Sequence, residues 1–578
     1  MRRAVVAAVM GLLLAGLWGC ERPEEPPVAV DGTDQEGTPD ESEELRRSGG
    51  PYMGYEDVDP VDAFDVGPPA PAVYFLSGLK GYTEPCGCTA DVLLGGIDRI
   101  TAYALDAGKL HPAAVLIDAG DWVFEHPEIP EHMVPQETAK ASVLAAAHRR
   151  MGTLFTVPGI RDLAMGLEFY EDRLEEADLT AVAANLTFRG EPLPATRQEE
   201  LDGLEVLFVG LVDHLLYEGI EEVEATDAGR ALREVVGAAD VDALVVVFQG
   251  RPERAEELLG EAQGVDFLIV GHDPRRRDEA TPVGSGHLLE AYDQGRYVGR
   301  LKLYARGTER PYRDGREGIA AARENLQNQI AVVEQDLRIL EVRTGGDENP
   351  LADRLTERLE ELQERELALL REGIEIPEEA RGFLYDLVPM EPGYRLDEEL
   401  RERRVEFNRS LAELNRDLQR EVIPVEDGEP FFIGTAECTV CHVPAHEFWE
   451  TTSHSRAVAT LEVRDKQYDQ NCIGCHVVGW EEPGGSVLGQ IVYEAELGGR
   501  TFEKDLNNVG CESCHGPGSE HRLQPIDAQG VAQHIIAQPT EAQCTQCHVP
   551  EHSPRFDFDV YVQEVTGPGH EFRGVAGE

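Results

Sequence analysis

Four copies of the pattern Cys-x-x-Cys-His lie toward the C-terminus of this 578-residue chain. They are Cys438, Cys441 and His442; Cys472, Cys475 and His476; Cys511, Cys514 and His515; and Cys544, Cys547 and His548. Two thiols three residues apart, followed at once by an imidazole, are what covalent attachment of a c-type haem requires. The thiols add to one edge of the macrocycle and the imidazole reaches the iron as its proximal ligand. Zinc ribbons also use Cys-x-x-Cys pairs, but they do not need a histidine after every second cysteine. The pattern therefore points to four haem c groups.

The sixth position on each iron decides the chemistry, because a second histidine closes the site for electron transfer while an open position admits a ligand. Six further histidines follow residue 433: His446, His454, His521, His534, His552 and His570. Phe448-Trp449-Glu450-Thr451-Thr452-Ser453-His454 follows the first motif, and Cys514-His515-Gly516-Pro517-Gly518-Ser519-Glu520-His521 runs through the third. Together these stretches resemble the multihaem cytochromes c of the ammonia-oxidiser, tetrahaem electron-carrier type. The resemblance implies that His454 and His521 are distal iron ligands. The spacing from Trp449 to His454 departs from the family pattern by one residue. His570, in Gly567-Pro568-Gly569-His570, is a third candidate; His446, His534 and His552 are weaker ones.

Other features say where such a protein would work. The net charge is −58, which repels a phosphate backbone and excludes nucleic acid as a partner. Arg2 and Arg3 precede an apolar run from Ala4 to Leu17 that ends in Leu17-Trp18-Gly19-Cys20. That is an export signal with the look of a lipobox, in which Cys20 would be lipidated and hold the chain at a membrane face. Trp18 departs from the small residues usual there. Residues 21–72 are acidic and rich in proline, and cannot bury enough surface to offset their chain entropy, so they read as a disordered tether.

Residues 73–310 alternate short apolar runs with amphipathic stretches, the pattern of an α/β domain. Strands are expected at Val73–Leu76, Val115–Asp118, Leu154–Val157, Ala181–Asn185, Val206–Leu211, Ala243–Phe248, Phe267–Val270 and Leu301–Tyr304. Helices are expected at Ile97–Ala107, Thr138–Arg150 and Pro252–Leu259. Residues 311–424 carry leucine-rich seams at spacings of three and four, expected to form a helical or coiled-coil spacer, with an extended stretch at Phe383–Pro389. Residues 425–578 give each haem fewer than about 40 residues. The macrocycles must then supply much of the core, and loops with short helices should dominate.

The front domain also resembles a known family. Leu116-Ile117-Asp118-Ala119-Gly120-Asp121, Ala184-Asn185-Leu186, Val209-Gly210-Leu211 and Val265-Asp266-Phe267-Leu268-Ile269-Val270-Gly271-His272 are similar to blocks of the calcineurin-like metallophosphoesterases, in the 5′-nucleotidase branch. The implied fold is a two-sheet sandwich flanked by helices. The implied hydrolysis needs two metal ions to activate water, and the ligands are mostly gone. Ser77-Gly78-Leu79 stands for the first Asp-x-His block, Arg161 for the catalytic histidine, Gln249 for the next, and Gly271-His272-Asp273-Pro274 for the last. Asp121, His272 and Asp162 remain as possible ligands, too few for a dimetal centre. Cys86-Gly87-Cys88 could pair as a disulfide, bind a soft metal or do thiol redox work.

The sequence thus describes a multidomain chain: an α/β metallophosphoesterase-like sandwich, a helical spacer, and a loop-rich, mainly α multihaem cytochrome c domain. The expected role is electron transfer outside the cytoplasm, periplasmic or at the cell surface, with a redox protein or a quinone-linked donor or acceptor. A haem-dependent reductase of a small nitrogen or sulfur compound and a cytochrome-fused 5′-nucleotidase are the alternatives.

Overall fold

The computed structural model describes residues 67–86, 94–111, 113–237, 239–305, 307–344, 349–376, 378–415, 420–528, 531–549, 553 and 556–570. The signal segment, Cys20, most of the tether, Cys88 and His552 lie outside them. For Cys86 only the backbone is described, in a two-residue strand paired with Leu94–Gly95.

Two sheets form the front of the molecule. The first holds β1 (Ala72–Leu76), β2 (Ala114–Asp118), β9 (Tyr297–Tyr304), β10 (Glu309–Asp314) and β11 (Ala380–Pro389) in the spatial order β10-β11-β9-β1-β2. The second holds β3 (Thr196–Leu201), β4 (Leu204–Val212), β5 (Ala243–Gln249), β6 (Phe267–Val270), β7 (Thr281–Val283) and β8 (Gly286–Leu289) in the order β7-β8-β6-β5-β4-β3. β4, β5, β6 and β8 run parallel. Every residue of β5 and β6 is buried. That is why these strands read as unbroken apolar runs rather than alternating ones.

Helices close the outer faces. They are α1 (Ile97–Leu110), α2 (Val134–Met151), α3 (Leu167–Ala177), α4 (Ala228–Val236) and α5 (Pro252–Glu261). α2 opens with proline in its first turn and ends where Gly152 takes the left-handed conformation, the start and stop that helices favour. One large apolar cluster fills the space between the sheets and extends under α1, α2 and α3, while a second lies beneath α4 and α5.

The sequence reading needs correction at three points. Leu154–Val157 and Ala181–Asn185 are not full strands; Thr156 makes single bridges to Asp118 and Ala181. The chain turns away at once because Pro158 has no N–H to continue a ladder. β9 starts four residues earlier than expected, since Gly299 admits the Phe75 ring; a Cβ there would sit 2.3 Å from it. The third correction is larger. The expected boundary at residue 310 is not where the sheet ends. β11, from the presumed spacer, pairs antiparallel with β9 and parallel with the edge strand β10, inside the first sheet. Its polar side chains are matched there: Asp386 takes Arg300 at 2.9 Å and also pairs with Arg316.

Of the helical seams, α6 (Ala320–Thr344) and α7 (Pro350–Glu372) pack together as a hairpin. α8 (Glu398–Leu414) instead lies on α1 and α2 and buries Leu400, Phe407 and Leu411 in the main core. Beyond it the regular structure consists of a hairpin, Val492–Leu497 with Arg500–Asp505, and helical segments of one or two turns. Apolar clusters in this part are small: Phe432, Val478 and Leu506 in one, and Leu461, Ile473 and Val477 in another.

Candidate haem centre and the altered front cleft

Each Cys-x-x-Cys-His motif is carried on about one turn of helix. Cys438 ends Thr435–Cys438, Cys472 lies in Gln470–Ile473, Cys511–His515 is itself a helix, and Cys544 ends Glu541–Cys544. Helical winding puts positions i, i+3 and i+4 on one face. The backbone holds that winding through the histidine, with His442 N–H donating to Cys438 O at 3.0 Å and His548 N–H to Cys544 O at 2.8 Å. Both thiols and the imidazole of one motif therefore point to the same side.

Across from three of these imidazoles stands a second one. His442 faces His521 with ring centres 6.3 Å apart and planes 25° apart. His515 faces His570 at 6.4 Å and 19°. His548 faces His454 at 6.2 Å and 54°. Two metal–imidazole bonds of about 2.0 Å plus the two ring radii span about 6 Å, so each pair is spaced to hold one metal ion between its nitrogens.

The remaining ring nitrogens are turned away from that gap. Nδ1 of His515 donates to Ile536 O at 2.6 Å, Nδ1 of His521 to Gln533 O at 2.8 Å, and Nδ1 of His476 to Ala457 O at 2.6 Å. A carbonyl only accepts, so the proton is on Nδ1 and Nε2 keeps its lone pair for a metal. Burial lowers the pKa of His442, His454, His548 and His570, and for all but His548 a facing or neighbouring imidazole adds to it. Neutral imidazole is the coordinating form. Two of the weaker candidates are engaged otherwise: His446 lies tilted against Trp449 near Glu450, and His534 Nδ1 lies 2.8 Å from Glu520.

Thiols from different motifs are neighbours. The helices that carry the first and third motifs touch, as do those of the third and fourth, and the Cys475 and Cys547 thiols lie side by side. In space the motifs therefore run first, third, fourth, second. The donor set, the paired imidazoles and the small apolar clusters fit covalently held haems, whose rings would complete the core.

Two further side chains, Glu512 unnoticed in the sequence and Trp449 noted there only for its spacing, hold the frame. Glu512, between the two cysteines of the third motif, is buried and accepts from the backbone N–H groups of Ile433, Gly434 and Gly518. The Trp449 indole donates to Val509 O, and Val509 N–H donates to His454 O. No periodicity announces either contact; both join segments about sixty residues or more apart.

The front cleft has a different character. Asp121 is wholly buried and accepts from Arg161 N–H at 2.9 Å and from the Arg161 guanidinium at 2.7 Å, with His272 Nδ1 at 2.6 Å. The same guanidinium reaches Asp273 at 3.0 Å and Glu125 O at 2.9 Å. Lys80 adds a second cation, 2.7 Å from Asp293 and 3.0 Å from Asp273. Burial alone would raise the Asp121 carboxyl; the His272 hydrogen bond and the His272 and Arg161 charges outweigh it and bring it down. Asp273 falls to about 2 because the charges of His272, Arg161 and Lys80 overcome burial.

Asp162 is not placed as a ligand. Its two oxygens accept four backbone N–H groups, from Asp121, Trp122, Val123 and Gly159, at 2.7–3.0 Å. Gly159 has to be glycine, since a Cβ there would lie 2.2 Å from Asp121 Oδ1. Gln249 is spent on Ala119 O, and Asn185 on Val212 and Thr226. Among the described residues no cluster of three or more His, Cys, Asp or Glu side chains is arranged to hold a metal ion. Arg161 and Lys80 occupy the cleft as fixed counter-ions.

Comparison with known proteins separates the two halves. The family described as cytochrome c554 and c-prime matches residues 437–516. Cytochrome c-554 of Nitrosomonas europaea is 30% identical in a 106-residue alignment that covers 16% of this chain and 40% of that protein. The C-terminal part of the chain resembles the cytochrome c554 family. This chain thus spans two fifths of that relative's length. Solved structures of 5′-nucleotidases and calcineurin-like phosphoesterases align with part of the chain. A 5′-nucleotidase precursor from Thermus thermophilus aligns with a TM-score of 0.39 and 15% identity, over 61% of this chain and 60% of its own. The sulfate thiohydrolase SoxB of the same organism aligns with a TM-score of 0.37 and 16% identity, over 42% of this chain and 55% of its own. No helix among the described residues is long and apolar enough to cross a membrane.

Proposed function

We propose that the chain is an exported electron-transfer cytochrome with four covalently bound haems and a non-hydrolytic phosphoesterase-like domain as scaffold. The observation that carries this reading is the facing of His521, His570 and His454 by His442, His515 and His548 at 6.2–6.4 Å. Cys438 and Cys441, Cys472 and Cys475, Cys511 and Cys514, and Cys544 and Cys547 are the attachment points. A haem held between two imidazoles supplies a one-electron carrier closed to small ligands. The chain's own work is to bind and to orient. Backbone carbonyls fix the imidazole tautomers, and helical turns aim each pair of thiols. The motif order first, third, fourth, second sets a line of attachment points.

Export by the N-terminal signal, anchoring through Cys20, and exchange with a redox protein or a quinone-linked donor or acceptor complete the proposal. Phosphoester hydrolysis is left out because Arg161 and Lys80 hold the cleft against cations. Capture of an anion there is disfavoured too, since Asp121, Asp273 and Asp293 already neutralise both. Intact-mass measurement of the mature protein tests the reading, together with a spectroscopic redox titration. The expected result is four added haem masses and low-spin spectra for the three histidine-paired sites. A mature protein with unmodified thiols at the four motifs would overturn it.

A further inference from the structure

The haem-bearing part is seated on the front domain through a buried polar network. Gln136 of α2 is fully buried; its Nε2 donates to Asp469 at 2.8 Å, and its Oε1 accepts from Asn415 Nδ2 at 3.1 Å and Gln470 N–H at 3.2 Å. Asn471 Nδ2 donates to Glu137 at 2.8 Å. Asp469 in turn caps the turn Gln470–Ile473, accepting from Asn471 N–H at 3.1 Å. That turn carries Cys472 and leads into Cys475 and His476.

The Lys466 ammonium lies within this seam. Lys466 is only 9% exposed, with its Nζ 3.3 Å from Asp469 and 3.8 Å from Glu84. Glu84 belongs to the front domain and is fixed by the Arg404 guanidinium and by Asn408 Nδ2 at 2.8 Å. Arg404 is shared with Asp98 at 2.9 Å. The Lys140–Glu137 pair borders the same site, and the Cys472 thiol lies within the fields of Asp469, Lys466 and Glu84.

We propose that Lys466, held by Asp469 and by Glu84 of the front domain, sets the reduction potential of the haem attached at Cys472 and Cys475. This rests on the haem reading above. A fixed cation in a low-dielectric seam favours whichever state of a neighbour carries less positive charge, and for haem iron that is the reduced one. Glu84 offsets the ammonium from the other side, so two domains share control of one site. Glu84 and Asp469 are positioning residues for Lys466.

Redox titration of the intact, haem-loaded protein and its variants tests this, with mass spectrometry reporting the haem count for each. Lys466→Met is expected to lower one of the four potentials, shifting the oxidised-to-reduced ratio about tenfold at fixed poise, or about 59 mV for a one-electron couple. Glu84→Gln, nearly isosteric and in the other domain, is expected to raise that same potential. Lys466→Arg keeps the charge and should leave it within a third of the Lys466→Met shift. Opposite signs at the two sites are what mere loosening of the seam would not produce. If Lys466→Met does not fold, the sign of the Glu84→Gln shift decides. Four haems with no shift in Glu84→Gln, or a shift downward, would overturn the proposal while leaving the haem reading intact. A parent protein without haem at Cys472 would overturn both.

Discussion

Asp118 lies at the end of β2 with no exposure at all. One of its oxygens accepts from Thr156 Oγ1 at 2.7 Å and Gly120 N–H at 2.8 Å, while the other has no hydrogen-bond partner among the described residues. Burial, with the neighbouring Asp121 charge, pushes this carboxyl up to about 7 against the pull of those two donors. Below about pH 4 both folded and unfolded chains hold the proton. Between about pH 4 and pH 7 only the folded chain does, so this group's contribution to stability falls as pH rises, then levels off. Asp118→Asn should remove that penalty. Denaturant unfolding is expected to show a gain of up to about 4 kcal/mol near pH 8 that vanishes near pH 4. Residue types with obligate chemistry were legible in the sequence: the thiol–imidazole motifs, and Arg161 standing in a histidine's place. Asp162 and Gln136 were not legible. A carboxylate that receives four backbone N–H groups looks in sequence like a ligand, and Gln136 meets Asp469 across 333 positions.

Strand β11 shows how far an element can lie from the unit it completes. Its apolar run from Phe383 was readable as extended, and β10 before it closes the edge of the same sheet. Its neighbours were unreadable, because register with β9 is set across about eighty residues by packing on both faces. Tyr385 sits in the middle of that register, stacked on Phe75 at 6.1 Å and donating its hydroxyl to Glu290 O at 2.9 Å. Tyr385→Ala should therefore destabilise the front domain by about 3–5 kcal/mol, as buried aromatic truncations do. Calorimetry would show this as a lowered front-domain transition. An unchanged profile would mean that β11 is dispensable to the sheet. The long helices α6 and α7 were legible as helices, though not in their full length, since apolar spacing of three and four needs no distant partner. α8 was legible as a helix, but its berth on α1 and α2 was not, for the same reason as β11.

The whole molecule carries −58 in formal charge over 578 residues. Such a field draws in cations and turns away anions before any contact forms. Reduction of the oxidised, haem-loaded protein by a cationic small reductant should outpace that by an anionic one of matched potential at about 10 mM salt. The gap should close at about 0.5 M, where the screening length shrinks to a few ångströms. Stopped-flow absorbance at the two salt concentrations measures it. Equal rates at low salt would place the entry point outside the acidic field. The same view of the molecule explains what composition could and could not tell. Charge pointed away from nucleic acid and cysteine spacing toward haem, while the seating of one half upon the other depends on matched polar side chains that no local pattern records.

The guanidinium and ammonium in the front cleft have one more implication. Dissociable ions in a cleft must be captured by each newly made chain, and they can be stripped, swapped for a wrong metal or diluted away. Arg161 and Lys80 are bonded into the polymer. On the proposed reading this domain needs no manganese or zinc to fold, so its yield and melting temperature should be the same with and without a chelator.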